Sequence, residues 1–310
     1  MTKGEAGDEG DFRVIAILAP GRSGTTLLRN ELLKPAEVTC LSSEGTFRWF
    51  EANRALLCGD DSEALRRAHP SLARQWHTVG FASEDLKPQF AASPAPSALT
   101  HKLLVKLPMF RFGAEGRGRF RHVDVIRLFR DPLAIVESMC RPQVWNDGQP
   151  FWAGPRAPLL GERTADLGAF AKAEGVAFLP HTPEQITALP YHVACATWLA
   201  DYLAIDDELR TQPGFCARAT DVAFEDFLAD REGQLQRLAA FMGVQRPDYP
   251  PNRVYYRPVE GEGGIASNQD TGEGGRGRRT AVLTEVQRSE VAAVLAEVRA
   301  RRGYGASPRA

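Results

Sequence analysis

Several protein classes are excluded by what this sequence lacks. The longest early apolar run, Val14 to Ala19, is far shorter than the about 20 residues that a membrane-spanning helix requires. The polar first dozen residues offer no basic flank leading into an apolar stretch, so neither a secretory leader nor membrane insertion is expected. The five cysteines (Cys40, Cys58, Cys140, Cys195 and Cys216) form no C-x-x-C pair and no Cys/His ligand spacing. They read as reduced structural thiols of a cytoplasmic protein, with no metal site. Charge of one sign is also missing: the formal net charge is -1. A generic nucleic-acid binder needs a basic excess, so no nucleic-acid partner is expected. No internal repeat is visible.

What is present is enough chain for a substantial core, with 310 residues of which 43% are hydrophobic. Val14 to Ala19 is a continuous apolar run, the pattern of a strand buried on both faces of a parallel sheet. It enters Pro20-Gly21-Arg22-Ser23-Gly24, and a helical pattern follows from Thr25 to Leu33, before Pro35. A second strand-turn-helix unit runs through Val123 to Phe129, Arg130-Asp131-Pro132 and a helix to Cys140. Asp131 suits the N-cap and Pro132 the first helical position. Leu133, Val136 and Cys140 share one face of that helix, and Ser138 lies well around from it. Leu103 to Leu107 reads as a further strand, and residues 83–100 as a surface connection. A helix is expected near Val193 to Leu203, another through Leu235, Leu238, Ala239 and Met242 to Gly243. The last opens on the capping box Thr284-Glu285-Val286-Gln287, buries Val291, Val294, Leu295 and Val298, and ends at Gly303.

The first turn has the make-up of an anion cradle. Glycines permit a sharp turn, and the first N–H groups of the following helix face outward with the helix dipole behind them. Arg22 adds a fixed positive charge, and Ser23, Thr25 and Thr26 add hydroxyl donors. The loop is too short for G-x-x-x-x-G-K-[ST], and Thr25 stands where the lysine should follow the second glycine. An ordinary ATPase or GTPase is therefore not expected. The plainer reading is a strand-turn-helix with a Ser/Thr-rich cap.

Pro20-Gly21-Arg22-Ser23-Gly24-Thr25-Thr26-Leu27-Leu28 resembles the 5′-phosphosulfate loop of the sulfotransferase superfamily, whose donor is 3′-phosphoadenosine-5′-phosphosulfate (PAPS). Val125 to Pro132, followed by Ser138, resembles that superfamily's 3′-phosphate motif and keeps its spacing. The resemblance implies that Arg130 and Ser138 bind the nucleotide's 3′-phosphate. A guanidinium forks onto phosphate oxygens, and a hydroxyl near a helix N-terminus completes the shell. The plainer reading pairs Arg130 with Asp131 or Glu137 and leaves Ser138 exposed. Val222 to Phe227 looks like the family's late strand and acidic dipeptide, with Glu225 and Asp226 a solvated helix start rather than catalytic groups.

The resemblance also implies a base and a sulfuryl contact. Val105-Lys106-Leu107-Pro108 lacks the histidine that aryl and steroid sulfotransferases place after K-x-H. Bacterial and carbohydrate-type members instead use a glutamate shortly after the first helix, which corresponds to Glu44. A partly desolvated carboxylate there can accept a hydroxyl proton; paired with Arg48 it would be only a loop charge. His101 is the reserve candidate, and Lys106 contacts the sulfuryl oxygens or snorkels at a strand end. Gly275-Arg276-Gly277-Arg278-Arg279 departs widely from the family's C-terminal R-x-G-type segment. What resemblance it keeps to that segment implies that Arg276, Gly277 and Arg278 close over the adenosine 3′-phosphate; the plainer reading is a mobile basic loop.

The expected fold is α/β: a P-loop-like three-layer fold with a central parallel sheet flanked by helices, plus a loop/helix cap. Residues 1–12 are expected as a disordered tail, 13–303 as one domain with a variable cap at about 141–190, and 304–310 as a C-terminal tail. Trp145, Phe151 and Trp152 read as the core of that cap rather than as an acceptor pocket. The expected partner is a small-molecule or glycan acceptor, PAP is the product, and a homodimer stays open. An atypical P-loop kinase using Asp124 for magnesium and a catalytically silent nucleotide-binding module are the alternatives.

Overall fold

A strand whose successive side chains are all apolar must be covered on both faces, and the first strand meets that demand. The computed structural model describes residues 13–32, 38–40, 53–59, 61, 63–65, 67–68, 102–108, 120–142, 149–151, 153, 183–211, 216–245 and 281–304. Within β1 (Arg13–Ala19), Val14, Ala16 and Leu18 enter one core while Ile15, Ile17 and Ala19 enter the other. Each fully buried Val or Ile contributes about 1.5–3 kcal/mol of apolar burial, so this strand ties the two halves of the protein together.

Five parallel strands form the sheet: β1, β2 (Val38–Cys40), β3 (Lys102–Pro108), β4 (Phe120–Phe129) and β5 (Cys216–Ala223), in the order β2-β3-β1-β4-β5. The first helices are α1 (Thr25–Leu32), α2 (Arg54–Cys58), α3 (Pro132–Met139) and α4 (Pro183–Ala188). Four more follow: α5 (Tyr191–Thr211), α6 (Phe224–Ala229), α7 (Arg231–Met242) and α8 (Glu285–Arg301). One layer of side chains from α3, α5 and α8 (Val136, Trp198, Leu295) covers one face of the sheet. Leu28 of α1, Phe227 of α6 and Leu238 of α7 cover the other. The result is the expected three-layer α/β arrangement.

The strand order positions the site. β1 and β4 are neighbours, yet the helix after β1 lies on one face and the helix after β4 on the other. Chains that depart to opposite faces leave a crevice between the carboxyl ends of their strands, where open α/β sheets bind ligands.

Local signals account for the helix ends. Asp131 accepts from the Leu133 amide at 3.2 Å with Pro132 next in the chain, and Thr284 and Gln287 close the capping box reciprocally. Gly243 and Gly303 adopt left-handed φ values of 67° and 72°, so each helix can return its last amides to its own carbonyls. Val291, Leu295 and Val298 are buried as expected, while Val294 is only partly so.

Two features differ from the sequence reading. The helix expected from Val193 begins at Tyr191 and runs to Thr211. Its last two turns carry Asp206, Asp207, Glu208 and Arg210 in sequence, which is why apolar periodicity alone undercounts it. A short helix, α4, lies inside the stretch read as an irregular cap. The late strand read at Val222 ends at Ala223, and Phe224 opens α6 with Glu225 and Asp226 in its first turn, the helix start expected of that acidic pair, where carboxylates oppose the helix dipole favourably. Phe151 is buried in the core, as expected, and donates its amide to Met139 O at 2.7 Å; Trp145 and Trp152 lie outside the described residues.

Asp124 is a structural acid. It sits fully buried in β4 opposite Ile15, toward the amino-terminal half of the sheet. Arg13 donates to it at 2.8 and 2.9 Å and Arg218 at 2.6 Å. Two guanidiniums neutralise it, as a buried carboxylate requires, and it faces away from the crevice at the carboxyl ends. The magnesium role considered for Asp124 is thereby removed.

Candidate functional site

The loop from Pro20 to Gly24 turns the chain out of β1 and into α1. The Ser23 amide donates to Pro20 O, and the Leu28 amide donates to Gly24 O at 3.1 Å. Gly24 thus caps the helix with no side chain of its own. Helical geometry leaves the N–H groups of Gly24, Thr25, Thr26 and Leu27 without intrahelical acceptors. No acidic residue lies in the first turn, so nothing on the helix opposes an anion there.

Two backbone conformations shape this turn. Gly24 has φ 94°, and a Cβ built on it would lie 2.2 Å from Phe224 Cε2. Arg22 has φ 71°, the sole non-glycine residue with positive φ among the described residues. A left-handed arginine costs of order 1–3 kcal/mol, and such residues cluster where ligands are held. The Ser23 hydroxyl is fully buried in the turn and has no hydrogen-bond partner among the described residues, an arrangement that native structures rarely tolerate without a ligand or water.

The second motif meets the first directly, across 108 and 116 positions of chain. Arg130 Nη1 donates to Arg22 O at 3.2 Å, and Arg22 Nε donates to Ser138 Oγ at 3.3 Å. Ser138 is buried on α3, not exposed as the plainer reading held. The carboxylates considered as partners of Arg130 are engaged elsewhere. Asp131 caps α3 and meets Arg299 at 3.4 Å, while Glu137 accepts from the Val282 amide and from Arg288. The Arg130 guanidinium instead lies 4.9 Å over the Phe224 ring.

Phe224 is the residue the sequence reading passed over. It fills the space that a side chain at Gly24 would need and forms a shelf under Arg130. The signal was present as an aromatic at the junction of the last strand and an acidic pair. Glu225 is exposed, as expected of a solvated helix start, yet it accepts from the Asp131 amide at 3.0 Å and from Tyr304 Oη at 3.2 Å.

Of the other expected site residues, Thr25 is buried at the start of α1 and Thr26 follows it in the same turn. Lys106 lies in β3 opposite Ile17, two positions before the strand's end. Glu44, His101, Arg276, Gly277 and Arg278 lie outside the described residues. Chemically, the described part offers two guanidiniums, three buried hydroxyl side chains (Ser23, Thr25 and Ser138) and a helix N-terminus around one crevice. Such a set can hold two separate anionic groups.

No family model and no curated protein matches the chain. Among solved structures, a sulfotransferase domain from the curacin biosynthetic pathway is similar at 17% identity, covering 92% of this chain and 97% of that one with a TM-score of 0.40. A sulfotransferase from Alicyclobacillus acidocaldarius is similar at 13% identity, covering 93% and 92% with a TM-score of 0.46. Retinol dehydratase, solved with androsterone and the inactive cofactor PAP, is similar at 16% identity over 74% of this chain and 59% of that one, with a TM-score of 0.28. At these scores the likeness carries no weight of its own. Among the described residues, no helix is long and apolar enough to cross a membrane.

Proposed function

We propose that the chain is a PAPS-dependent sulfotransferase of the bacterial or carbohydrate type. The observation that carries this reading is the joining of Arg22, Arg130 and Ser138 at the β1/β4 crevice by the Arg130-to-Arg22 and Arg22-to-Ser138 hydrogen bonds. A kinase needs a lysine on the β- and γ-phosphates and an acid for magnesium. Here the loop has no lysine, and Asp124 is committed to Arg13 and Arg218.

The residues divide by the anion they hold. Arg22, the buried Ser23 hydroxyl and the amides from Gly24 to Thr26 take the 5′-phosphosulfate, assisted by the α1 dipole. Arg130 and Ser138 take the 3′-phosphate, and Arg276, Gly277 and Arg278 close over it. In the transfer, the acceptor hydroxyl or amine forms a bond to sulfur as the bond from sulfur to the bridging phosphate oxygen breaks. Glu44 accepts the acceptor's proton, Lys106 neutralises sulfuryl oxygens, and PAP leaves. In-line positioning and charge neutralisation supply most of the rate, as in phosphoryl transfer. The acceptor is a small molecule or glycan, the reaction needs no metal, and a cytoplasmic location suits the reduced thiols.

A titration of the full chain with adenosine 3′,5′-bisphosphate against ATP tests the donor class. The bisphosphate binds at least about tenfold tighter, since only it supplies a 3′-phosphate to a forked guanidinium. Equal affinities, or a magnesium-dependent preference for ATP, would overturn the reading. For the base, Glu44→Ala lowers kcat by about 10²–10⁴ and leaves bisphosphate affinity within about twofold of the parent. Turnover at the parent rate would remove Glu44 from that role.

A further inference from the structure

The carboxyl-terminal end of α8 comes to rest behind the turn that carries Arg130. Gly303 donates its amide to Ala300 O at 3.2 Å and Tyr304 donates to Arg299 O at 2.8 Å. This is the Schellman pair, and it folds the chain back across the last residues of β4. Tyr304 therefore packs edge-on against Phe129, with ring centroids 6.4 Å apart. Arg302 covers the same ring at 5.2 Å and is held by Asp206 and Asp207 of α5 at 2.5 and 2.7 Å. With its side chain only 3% exposed, Arg302 is a fixed part of the fold. Tyr304, read from the sequence as the first residue of a tail, is anchored by these contacts.

From this anchor a chain of hydrogen bonds reaches the site. Tyr304 Oη donates to Glu225 Oε2 at 3.2 Å, and Glu225 Oε1 accepts from the Asp131 amide at 3.0 Å. Asp131 in turn caps α3 through the Leu133 amide and meets Arg299 Nε at 3.4 Å. Phe129, Arg130 and Asp131 are consecutive. Phe129 is held by two side chains from the end of α8, and Asp131 is held at its amide and at its carboxylate. Arg130 between them has its backbone pinned from both sides. We propose that Tyr304 and Glu225 are positioning residues for Arg130, whose hydrogen bond fixes the turn that presents the guanidinium to its ligand. Burial and the Glu225 carboxylate push the Tyr304 phenol well above its usual range, so it stays a donor throughout the working pH range.

The binding role of Arg130 rests on the function proposed above, whereas the pinning of its turn does not. The variant is Tyr304→Phe in the full chain, which keeps the ring on Phe129 and removes only the donor. Affinity for adenosine 3′,5′-bisphosphate falls about fivefold, the worth of one neutral-to-charged hydrogen bond transmitted in part, while affinity for adenosine 5′-monophosphate stays within about twofold of the parent. In an Arg130→Ala background the same change has no further effect, because the two residues act as one unit. Parent-like affinity for the bisphosphate, an equal loss for both nucleotides, or a loss that persists without Arg130 would overturn the proposal. A lowered melting temperature with unchanged nucleotide selectivity would also overturn it, since a merely structural contact gives that result. Failure of the parent to bind the bisphosphate would sink the donor reading alone. The positioning would then be read from hydrogen exchange at the Asp131 amide, which speeds up about fivefold in Tyr304→Phe; an unchanged rate would overturn it.

Discussion

Arg130→Ala lowers affinity for adenosine 3′,5′-bisphosphate about a hundredfold, and affinity for adenosine 5′-monophosphate by less than about threefold. The size follows from what the residue supplies. Truncating one member of a partly buried, charge-assisted pair costs about 2–5 kcal/mol, much of it because the partner charge is left without compensation. Arg130 is half-buried against Phe224 and tied to Arg22 O, so its guanidinium is already oriented and little entropy is lost on engagement. The 5′-monophosphate has no group for it to meet, which is why the two nucleotides respond differently. Arg130→Lys restores the charge and not the fork, and recovers only part of the loss, to about tenfold below the parent. A uniform loss for both nucleotides would mean that Arg130 acts on the Pro20 to Gly24 loop through the Arg22 carbonyl, and the assignment of the 3′-phosphate to it would fall.

How much of this was legible before the fold was known depends on the range of each interaction. β1 could be read because a doubly covered strand must be apolar at successive positions, and Val14 to Ala19 satisfy that locally, whereas β4 carries Asp124 and Arg127 within Val123 to Phe129 and was legible from its place before the Asp131-Pro132 helix start. The ends of α3, α7 and α8 were legible for the same reason, since Asp131, Gly243 and the Thr284–Gln287 box act within a few residues of themselves. Strand order was not, because nothing in β1 says that β4 rather than β2 lies beside it. The candidate anion-binding residues on the two turns were named from motif and charge. Their meeting through Arg22 O and Ser138 Oγ, across more than a hundred residues, is a property of the sheet.

The residues whose contacts the sequence did not disclose, Phe224, Glu225 and Tyr304, share one trait. Each acts on a side chain or backbone group far away in sequence, and none belongs to a residue type that announces binding chemistry. Phe224 looks like an ordinary strand-end aromatic. Glu225 looks like a carboxylate placed for a helix dipole, which it also is. Tyr304 follows a helix-terminating glycine and looks like the start of a tail, until the left-handed Gly303 returns it to Phe129.

Phe224 also decides the second large effect, the outcome of Gly24→Ala. Two separate physical terms oppose that single methyl group. The backbone at φ 94° disfavours any L side chain, and the new Cβ would stand 2.2 Å from Phe224 Cε2 and 2.6 Å from Cδ2. Conformational strain of this kind costs about 1–3 kcal/mol and overpacking against a ring about as much again. The expected loss of unfolding free energy is therefore about 3 kcal/mol, read by urea denaturation. Bisphosphate binding weakens by more than about a hundredfold, because relief of the clash must move either the amides at the start of α1 or the shelf under Arg130. Pairing the change with Phe224→Ala separates the terms. The double variant regains the steric part of the stability and keeps the backbone part. Binding is not regained, since the guanidinium of Arg130 has lost the ring it lies on. Full recovery of binding in the double variant would show that Phe224 merely fills space, and that the orientation of Arg130 comes from Arg22 O and the turn alone.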